Sequence, residues 1–280
     1  MKADLHLHTI YSDGTDTPEE IALRAERAGL GLISMTDHDS LEGLEEKREA
    51  AKRHGLLFVS GWEVSSYCAL GKVHILGYGC RPNGEYARFL QERKEGALVR
   101  ASDMLKKANA CFKLSLTLED CERERVKKEA PLHTMHVVRA YARVLNRGKD
   151  ALSMKLGELY KTYFAKGCPA YSELCRPTPH AALEVIHATG GIACLAHPGR
   201  IEGDFTAREQ LMDELCAAGL DGIECTYSTH TREQTAYFLS YAERKGLYQT
   251  GGSDYHAEGM KREIGLPVFE PDERLLQVLL

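Results

Sequence analysis

The chain has 280 residues, a hydrophobic fraction of 43% and a charged fraction of 28%, which are typical of an ordinary globular protein and exclude a fibre or a disordered chain. Its net charge of −5 argues mildly against a broad nucleic-acid-binding surface, but not against a small phosphorylated substrate, because bound cations would invert the local potential. Nine cysteines without a CxxC pair indicate reduced thiols in a cytoplasmic protein, for which we expect neither a signal peptide nor a membrane-spanning segment.

Short apolar runs bounded by turn residues predict buried strands. The seven predicted strands are Ala3–Leu7, Gly31–Met35, Leu56–Ser60, Val73–Tyr78, Gly191–Ala196, Asp221–Thr226 and Leu247–Thr250. Capping residues and stop glycines delimit helices between most of these strands. The predicted helices are Thr17 to Gly29, Ser40–His54, Thr178 to Gly190, Thr206–Ala218 and Thr231–Lys245. This alternation predicts an α/β fold with parallel strands and right-handed crossovers.

The interval from Gly84 to about Gly167 contains no convincing strand. Its predicted helices are Glu85–Ala110, Thr117–Lys128, His133–Asn146 and Lys155–Phe164. Their basic residues alternate with acidic ones, which favours a solvated helix surface over an RNA-binding patch. We therefore predict a main α/β domain of residues 1–83 and 168–280, and a helical insertion of residues 84–167 that could form a cap over the site.

The first predicted strand carries a His-x-His pair. Alternation along the strand puts His6 and His8 on one face, where two imidazoles suit a metal ion, although structural histidines also occur on strands. Asp13 follows in an Asp-Gly pair and would, taken alone, be a turn residue.

Three more candidate ligands are found near the second, third and fourth predicted strands. His38 follows the second strand, where it is either a ligand or the first residue of a helix, and Asp37 could orient it. Glu63 follows the third strand, and an isolated glutamate among apolar neighbours is costly unless it is paired or coordinates a metal. His74 lies inside an apolar run, where a core histidine is the alternative interpretation.

The last three predicted strands end in similar motifs. His197 follows the fifth strand, and Arg200 in the same loop could grip phosphate oxygens or form a surface salt bridge. His230 lies near the start of a helix, where capping competes with a substrate contact or proton transfer. Asp254 and His256 follow the seventh strand and can face one cavity.

Considered together, these residues predict a metal site. The nine candidate ligands are His6, His8, Asp13, His38, Glu63, His74, His197, Asp254 and His256. Imidazole and carboxylate ligands without a thiolate suit Mn²⁺, Zn²⁺ or Fe²⁺. Nine ligands exceed what one ion needs, so we predict two or three divalent ions, with Mn²⁺ favoured and Glu63 as a bridge.

These motifs resemble those of the polymerase and histidinol phosphatase (PHP) family. The matching motifs are His6-Leu7-His8 with Asp13, Thr36-Asp37-His38, His197-Pro198 and Asp254-Tyr255-His256, with Glu63 and His74 as the intervening ligands. The resemblance spans nearly the whole chain and implies a distorted (β/α)7 TIM-like barrel with a helical insertion. It also implies three metal sites, formed by His6, His8, Glu63 and Asp254, by Glu63, His74 and His197, and by Asp13, His38 and His256.

Within this family, the chain resembles small free-standing phosphoesterases: nucleoside 3′,5′-bisphosphate phosphatases, RNA-trimming relatives and cyclic phosphate dihydrolases. An Arg-Pro-His-Ile-Ala-Arg stretch in their insertion corresponds here to Thr134–Arg139, in which the first Arg-Pro is replaced. His136 and Arg139 remain as candidate substrate-binding residues. The resemblance thus favours a cyclic phosphodiesterase acting on phosphoribosyl cyclic phosphate that also hydrolyses the resulting monoester, over a bisphosphatase.

The implied chemistry is metal-assisted, in-line attack of water on phosphorus. Arg200 would neutralise charge on the phosphoryl oxygens, His230 would contact the phosphate or protonate the leaving oxygen, and Asp254 would act at the metals. An amidohydrolase barrel also opens with His-x-His, but it commonly uses a lysine carbamate, and no lysine ends a predicted strand. A metal-binding partner domain without enzymatic activity is the remaining alternative.

Overall fold

The computed structural model describes residues 1–127, 131–146, 154–259 and 262–280. Two compact units are formed, one by Met1–Phe89 with Pro177–Leu280, the other by Leu90–Arg176. The predicted boundaries at 84 and 167 therefore lie close to, but not at, the observed division. The end of the predicted helix Thr117–Lys128 lies outside the described residues.

The strands of the described residues all lie in the first unit. They are β1 (Ala3–Leu7), β2 (Leu32–Met35), β3 (Leu57–Phe58), β4 (Gly61–Cys68), β5 (Gly71–Tyr78), β6 (Ile192–Leu195), β7 (Gly222–Tyr227) and β8 (Tyr248–Gly252). They form a three-stranded sheet in the order β1-β2-β3 and a five-stranded sheet in the order β4-β5-β6-β7-β8. Single backbone bridges, Leu7 to Tyr255 and His38 to Glu63, link the two sheets.

The expected barrel is not shown, because no closed sheet is found among the described strands. β5 also pairs antiparallel with both β4 and β6, which differs from the expected parallel arrangement. The reason is the short connection after Cys68, since the turn to Gly71 is too short for the crossover that a parallel pair requires.

β4 was not predicted from the sequence, in which Glu63 was expected to follow the third strand. In the structure, Trp62 and Val64 are buried in β4 and alternate with Glu63 and Ser65. The polar residues look like a loop in the sequence because this face of the strand points into a polar site rather than an apolar core.

Helices surround these sheets and form most of the second unit. In chain order they are α1 (Pro18–Arg27), α2 (Leu44–Arg53), α3 (Gly84–Phe112), α4 (Leu118–Glu122), α5 (Thr134–Leu145), α6 (Leu156–Leu159), α7 (Pro179–Ala188), α8 (Phe205–Ala217), α9 (Arg232–Lys245) and α10 (Glu273–Leu279). α1 begins as predicted: Thr17 and Glu20 form a capping box, with Pro18 at the first helical position. α10 was not predicted.

The apolar core of the first unit holds β1 between its neighbours. Every residue of β1 is buried. Leu7 packs in a cluster with Ile21 of α1 and Ile33 of β2, while Leu5 packs in a second cluster with Leu76 of β5. The strand that carries His6 and His8 is therefore fixed by apolar contacts.

The second unit contains helices and no strand in its described residues, which include a π-helical turn at Tyr160–Phe164. Its core includes Met104 of α3, Val138 and Tyr141 of α5, and Phe164. The proposed role of this unit as a cap stays a prediction. Within the described parts of both units, no helix is both long enough and apolar enough to cross a membrane.

Candidate metal centre

The first group of candidate ligands lies between β1, β4 and the end of β8. Glu63 Oε2 is 3.2 Å from Nε2 of both His6 and His8. Asp254 Oδ1 is 3.2 Å from His8 Nε2 and 3.6 Å from His6 Nε2. These four side chains offer ligand atoms within 4.8 Å of one another and could hold one ion. They are the four residues that the family resemblance implied for the first metal.

The second group lies around Asp13, in the loop after β1. His256 Nε2 is 3.3 Å from Asp13 Oδ1, and His38 Nε2 is 4.0 Å from the same oxygen. Together with His8 they form another set of converging ligand atoms. The structure thus brings together the three residues implied for this metal and adds His8.

The third group is built around the other side of Glu63. His74 Nδ1 lies 2.5 Å and His197 Nε2 lies 3.0 Å from Glu63 Oε1. His38 Nδ1 lies 3.1 Å from Glu63 Oε2, and the converging set is His38, Glu63 and His74. His38 therefore faces both Glu63 and Asp13, a double placement that the sequence did not predict.

Several ligand atoms are buried without a hydrogen-bond partner among the described residues. They are His6 Nε2, His8 Nε2, Glu63 Oε2 and His74 Nε2. Leaving a buried polar atom unsatisfied costs about 1–3 kcal/mol of folding free energy. Charged atoms lie near these four atoms, but they do not form hydrogen bonds with them. Divalent cations would satisfy all four atoms, so the nitrogen and oxygen donor set fits such ions. That these residues bind metals stays a prediction.

Two candidate ligands have an unusual backbone. His197 and Asp254 have φ angles of 29° and 56°, in the left-handed region that residues with a Cβ rarely adopt. Such conformations persist where the surrounding structure enforces them, and they cluster at functional sites.

A buried carboxylate that the sequence analysis did not single out orients two of the ligands. Glu224 Oε1 is 2.9 Å from His6 Nδ1, and Oε2 accepts a hydrogen bond from His197 N at 2.7 Å. Burial raises the pKa of Glu224 above its ordinary value, although the facing His6 opposes this. Because Nδ1 of His6 is turned to Glu224, its Nε2 points into the first group. Glu224 could have been found by the argument used for Glu63, since it also stands among apolar residues.

Asp37 holds the loop after β1, which differs from its predicted role in orienting His38. Its oxygens accept hydrogen bonds from Thr9 N and Oγ1 at 2.8 and 2.7 Å and from Ser12 Oγ at 2.6 Å. Lys47 Nζ lies 2.6 Å from Asp37 Oδ2, and the side chains of both are almost fully buried. Burial raises the pKa of Asp37, but the charges of Lys47 and His8 and the hydrogen bonds from Lys47 and Ser12 together hold it below the ordinary value.

Cationic and phenolic groups surround the outer oxygen of Asp254. Tyr227 donates its hydroxyl to Asp254 Oδ2 at 2.7 Å, and Arg200 Nη1 donates to the Tyr227 oxygen at 2.9 Å. Arg262 also donates to Asp254 Oδ2, and to its backbone oxygen at 2.9 Å. Burial raises the pKa of Asp254, but His6 and other cationic neighbours lower it well below its usual range. Arg200 thus lies beside the candidate ligand Asp254, while its binding of phosphate stays a prediction; Tyr227 and Arg262 were not predicted.

His230 has both ring nitrogens engaged by backbone groups. Its Nδ1 lies 3.1 Å from Cys225 O, which can only accept, so Nε2 accepts the hydrogen bond from Gly199 N at 3.2 Å. Burial lowers the pKa of His230 to about 4, which favours this neutral form. The hydrogen bonds favour a role in holding the loop that contains Arg200, and a catalytic role for His230 stays a prediction.

His136 and Arg139, the other candidate substrate-binding residues, lie on α5 in the second unit. His136 is buried, and its Nδ1 accepts a hydrogen bond from His133 N at 3.0 Å, which caps the helix. This bond gives His136 a local structural role. Substrate binding by His136 and Arg139 stays a prediction.

Comparison with known proteins identifies close similarities. The model of the PHP domain family matches residues 4–96. The chain is 34% identical over 267 residues to a 3′,5′-nucleoside bisphosphate phosphatase of Chromobacterium violaceum, covering 94% of this chain and 90% of the relative. It is 33% identical over 278 residues to a phosphoribosyl 1,2-cyclic phosphate 1,2-diphosphodiesterase of Eggerthella lenta, covering 96% and 99%. A crystal structure from Bifidobacterium adolescentis, assigned as a metal-dependent phosphoesterase, superposes with a TM-score of 0.85 at 25% identity, covering 99% of this chain and 95% of the other.

Proposed function

We infer the reaction from the premise that this chain belongs to the PHP family and is a metal-dependent phosphoesterase. We propose that it hydrolyses phosphate esters of small sugar or nucleotide phosphates, with two or three divalent ions held by the nine predicted ligands. The observation that carries this proposal is the convergence of three overlapping ligand groups on Glu63, His8 and His38. Mn²⁺ is the favoured ion, with Zn²⁺ or Fe²⁺ as alternatives.

When bound, such ions supply Lewis-acid activation of water at neutral pH and neutralise charge on phosphoryl oxygens. The protein contributes orientation: Glu224 fixes the ring of His6, and Tyr227 fixes the carboxylate of Asp254. Arg200 is half exposed, and only its Nη1 has a partner in the described residues, so its other N–H groups can donate to a phosphoryl oxygen.

The substrate that we favour is a phosphoribosyl cyclic phosphate, opened to a monoester that is then hydrolysed. Two observations support it: the similarity to the Eggerthella enzyme over nearly the full length of both chains, and overlapping ligand groups that could serve a diester and then a monoester. A nucleoside 3′,5′-bisphosphate is the second candidate, favoured by the similarity to the Chromobacterium enzyme.

To test the proposal, the protein is reconstituted with each metal ion, and the release of phosphate from each substrate is measured by mass spectrometry. The substrates are a phosphoribosyl cyclic phosphate, a nucleoside 3′,5′-bisphosphate, a nucleoside monophosphate, a short oligoribonucleotide and an amide. We expect His197→Ala and Asp254→Ala to lose nearly all activity, while Lys52→Gln, on the exposed face of α2, keeps it.

Wild-type turnover in either site variant would contradict the proposed metal centre. Amide hydrolysis without phosphate release would favour the amidohydrolase alternative. Metal retention without hydrolysis of any substrate would favour a binding domain.

A further inference from the structure

Two of the candidate ligands belong to a single ligand group, and each comes from a different segment. Asp13 lies in the loop after β1 and His256 in the segment after β8, and among the described residues both occur only in the second group. The other members of that group, His8 and His38, also belong to the first and third groups. The second group is therefore the one whose geometry depends on how these two segments are held together.

The His256 ring presents a nitrogen without a proton to Asp13. Its Nδ1 lies 2.9 Å from Asp254 O, which can only accept, so Nδ1 is the donor and Nε2 of the neutral ring carries a lone pair. This Nε2 faces Asp13 Oδ1 at 3.3 Å. Two acceptor atoms at this distance suit a shared cation, and they meet only if both segments keep their places.

Backbone hydrogen bonds close the loop after β1 and join it to the segment after β8. Ile10 N donates to Asp16 O at 3.0 Å, which closes the loop that contains Asp13. Thr15 N donates to His256 O at 2.9 Å. The end of this loop therefore lies directly against the segment that carries His256.

The Asp16 side chain adds a second connection between the same two segments. Its Oδ2 accepts hydrogen bonds from the Tyr255 hydroxyl and from Arg24 Nε, each at 2.8 Å. Tyr255 directly precedes His256, and Arg24 lies on α1, where its Nη2 also donates to Glu258 Oε2 at 2.8 Å. Asp16 is 8% exposed and Tyr255 is 4% exposed, so their hydrogen bond is shielded from water, whereas the Glu258 side chain is 76% exposed.

We propose that Asp16 is a positioning residue for the second ligand group, because it holds the loop of Asp13 against the segment of His256. This inference rests on the proposed function, since it takes the candidate ligands to bind metal ions. Asp37 holds the start of the same loop, and Asp16 holds its end. Losing the link from Asp16 to Tyr255 should therefore weaken the ion of the second group and spare the others.

The test is a calorimetric titration of metal-free protein with Mn²⁺ for the wild type and for Tyr255→Phe, which removes only the hydroxyl group. We expect the affinity for one bound ion to fall about 10–100-fold, as for other residues that orient metal ligands, and the other affinities to change less than about 2-fold. Asp16→Ala should weaken the same ion at least as much. The matched control Glu258→Gln removes only the exposed contact of Arg24 and should leave all affinities unchanged.

Two further measurements separate positioning from a general loss of stability. In His256→Ala, which removes a ligand of the second group, adding Tyr255→Phe should have no further effect on the remaining ions. In metal-free protein, the Thr15 amide should exchange its hydrogen about 5-fold faster in Tyr255→Phe than in the wild type, as measured by NMR, because its acceptor His256 O is held less firmly.

Unchanged affinities in Tyr255→Phe, or an equal loss for every ion, would overturn the proposal. The first result would leave Asp16 as an anchor of α1 through Arg24, and the second would indicate general destabilisation. Wild-type protein that binds ions but hydrolyses no phosphate ester would refute the proposed function, while the titration would still test Asp16. Normal phosphate release by the wild type, with unchanged metal binding in Tyr255→Phe, would refute only the positioning role.

Discussion

Replacing Asp37 by alanine should destabilise the first unit strongly. The substitution removes the acceptor of three hydrogen bonds from Thr9 and Ser12, and it leaves the Lys47 ammonium group, whose side chain is 1% exposed, without its partner at 2.6 Å. Breaking a buried ion pair from one side costs about 3–5 kcal/mol. Since each kcal/mol shifts the Tm of a domain of this size by about 2–4 °C, we expect a loss of roughly 6–20 °C.

The assay is thermal unfolding of metal-free protein, followed by circular dichroism, for Asp37→Ala, Lys47→Met and the double variant. The double variant should be more stable than the sum of the single effects predicts, because no buried charge is left unpaired. Lys52→Gln breaks an exposed contact to Glu49 and should change the Tm by about 2 °C or less. A loss below about 2 °C in Asp37→Ala, or strictly additive effects, would refute the reasoning.

Three further predictions concern the ligands and their support. Glu224→Gln should weaken metal affinity about 10–100-fold, because His6 loses its charged partner. Metal titration by calorimetry measures the affinity, and an unchanged value would contradict the orienting role of Glu224. Removing the metal with a chelator should abolish phosphate release and lower the Tm. Adding Mn²⁺ or Zn²⁺ should restore both the activity and the Tm, and a Tm that does not respond to metal would contradict the proposed site. Burial lowers the pKa of His230 from 6.5 to about 4. Between these two pH values the unfolded chain binds a proton that the folded protein does not. The neutral His230 therefore does not reduce the free energy of unfolding above pH 6.5, but this free energy decreases as the pH falls toward 4. The Tm of metal-free wild type should therefore fall more between pH 7 and pH 5 than that of His230→Asn, and equal decreases would contradict this assignment.

The sequence predicted the strands best where apolar runs are continuous. β1 coincides with the predicted Ala3–Leu7, and β2, β6 and β7 differ by one or two residues at their ends. β4 was not predicted because one of its faces is polar. The alternation of Trp62 and Val64 with Glu63 and Ser65 is nevertheless a pattern typical of a strand. The antiparallel direction of β5 was missed with it, since a hairpin cannot be inferred when one of its strands is not seen.

The candidate ligands were recognisable by residue type and by their positions near strands, but their grouping was not. The double placement of His38 between Glu63 and Asp13 depends on the bridge between the two sheets, which no local pattern encodes. Supporting residues such as Lys47 and Tyr227 were also missed. A lysine on a charged helix and a tyrosine at a strand end have common structural explanations, and only distances within the folded unit distinguish them.

The first and last strands of the sheets run side by side at this site. Asp254 N donates to His6 O at 2.8 Å, and His8 N donates to Tyr255 O at 2.9 Å. A ribosome releases His6 and His8 at the start of synthesis, long before Asp254 leaves the exit tunnel. If the ions bind as proposed, the nascent chain cannot complete the first ligand group until nearly all of it has been translated. A product terminated before Asp254 would lack a ligand of the first group and His256 of the second, although it would still contain His38, Glu63 and His74 of the third, so full metal loading would require the nearly complete chain.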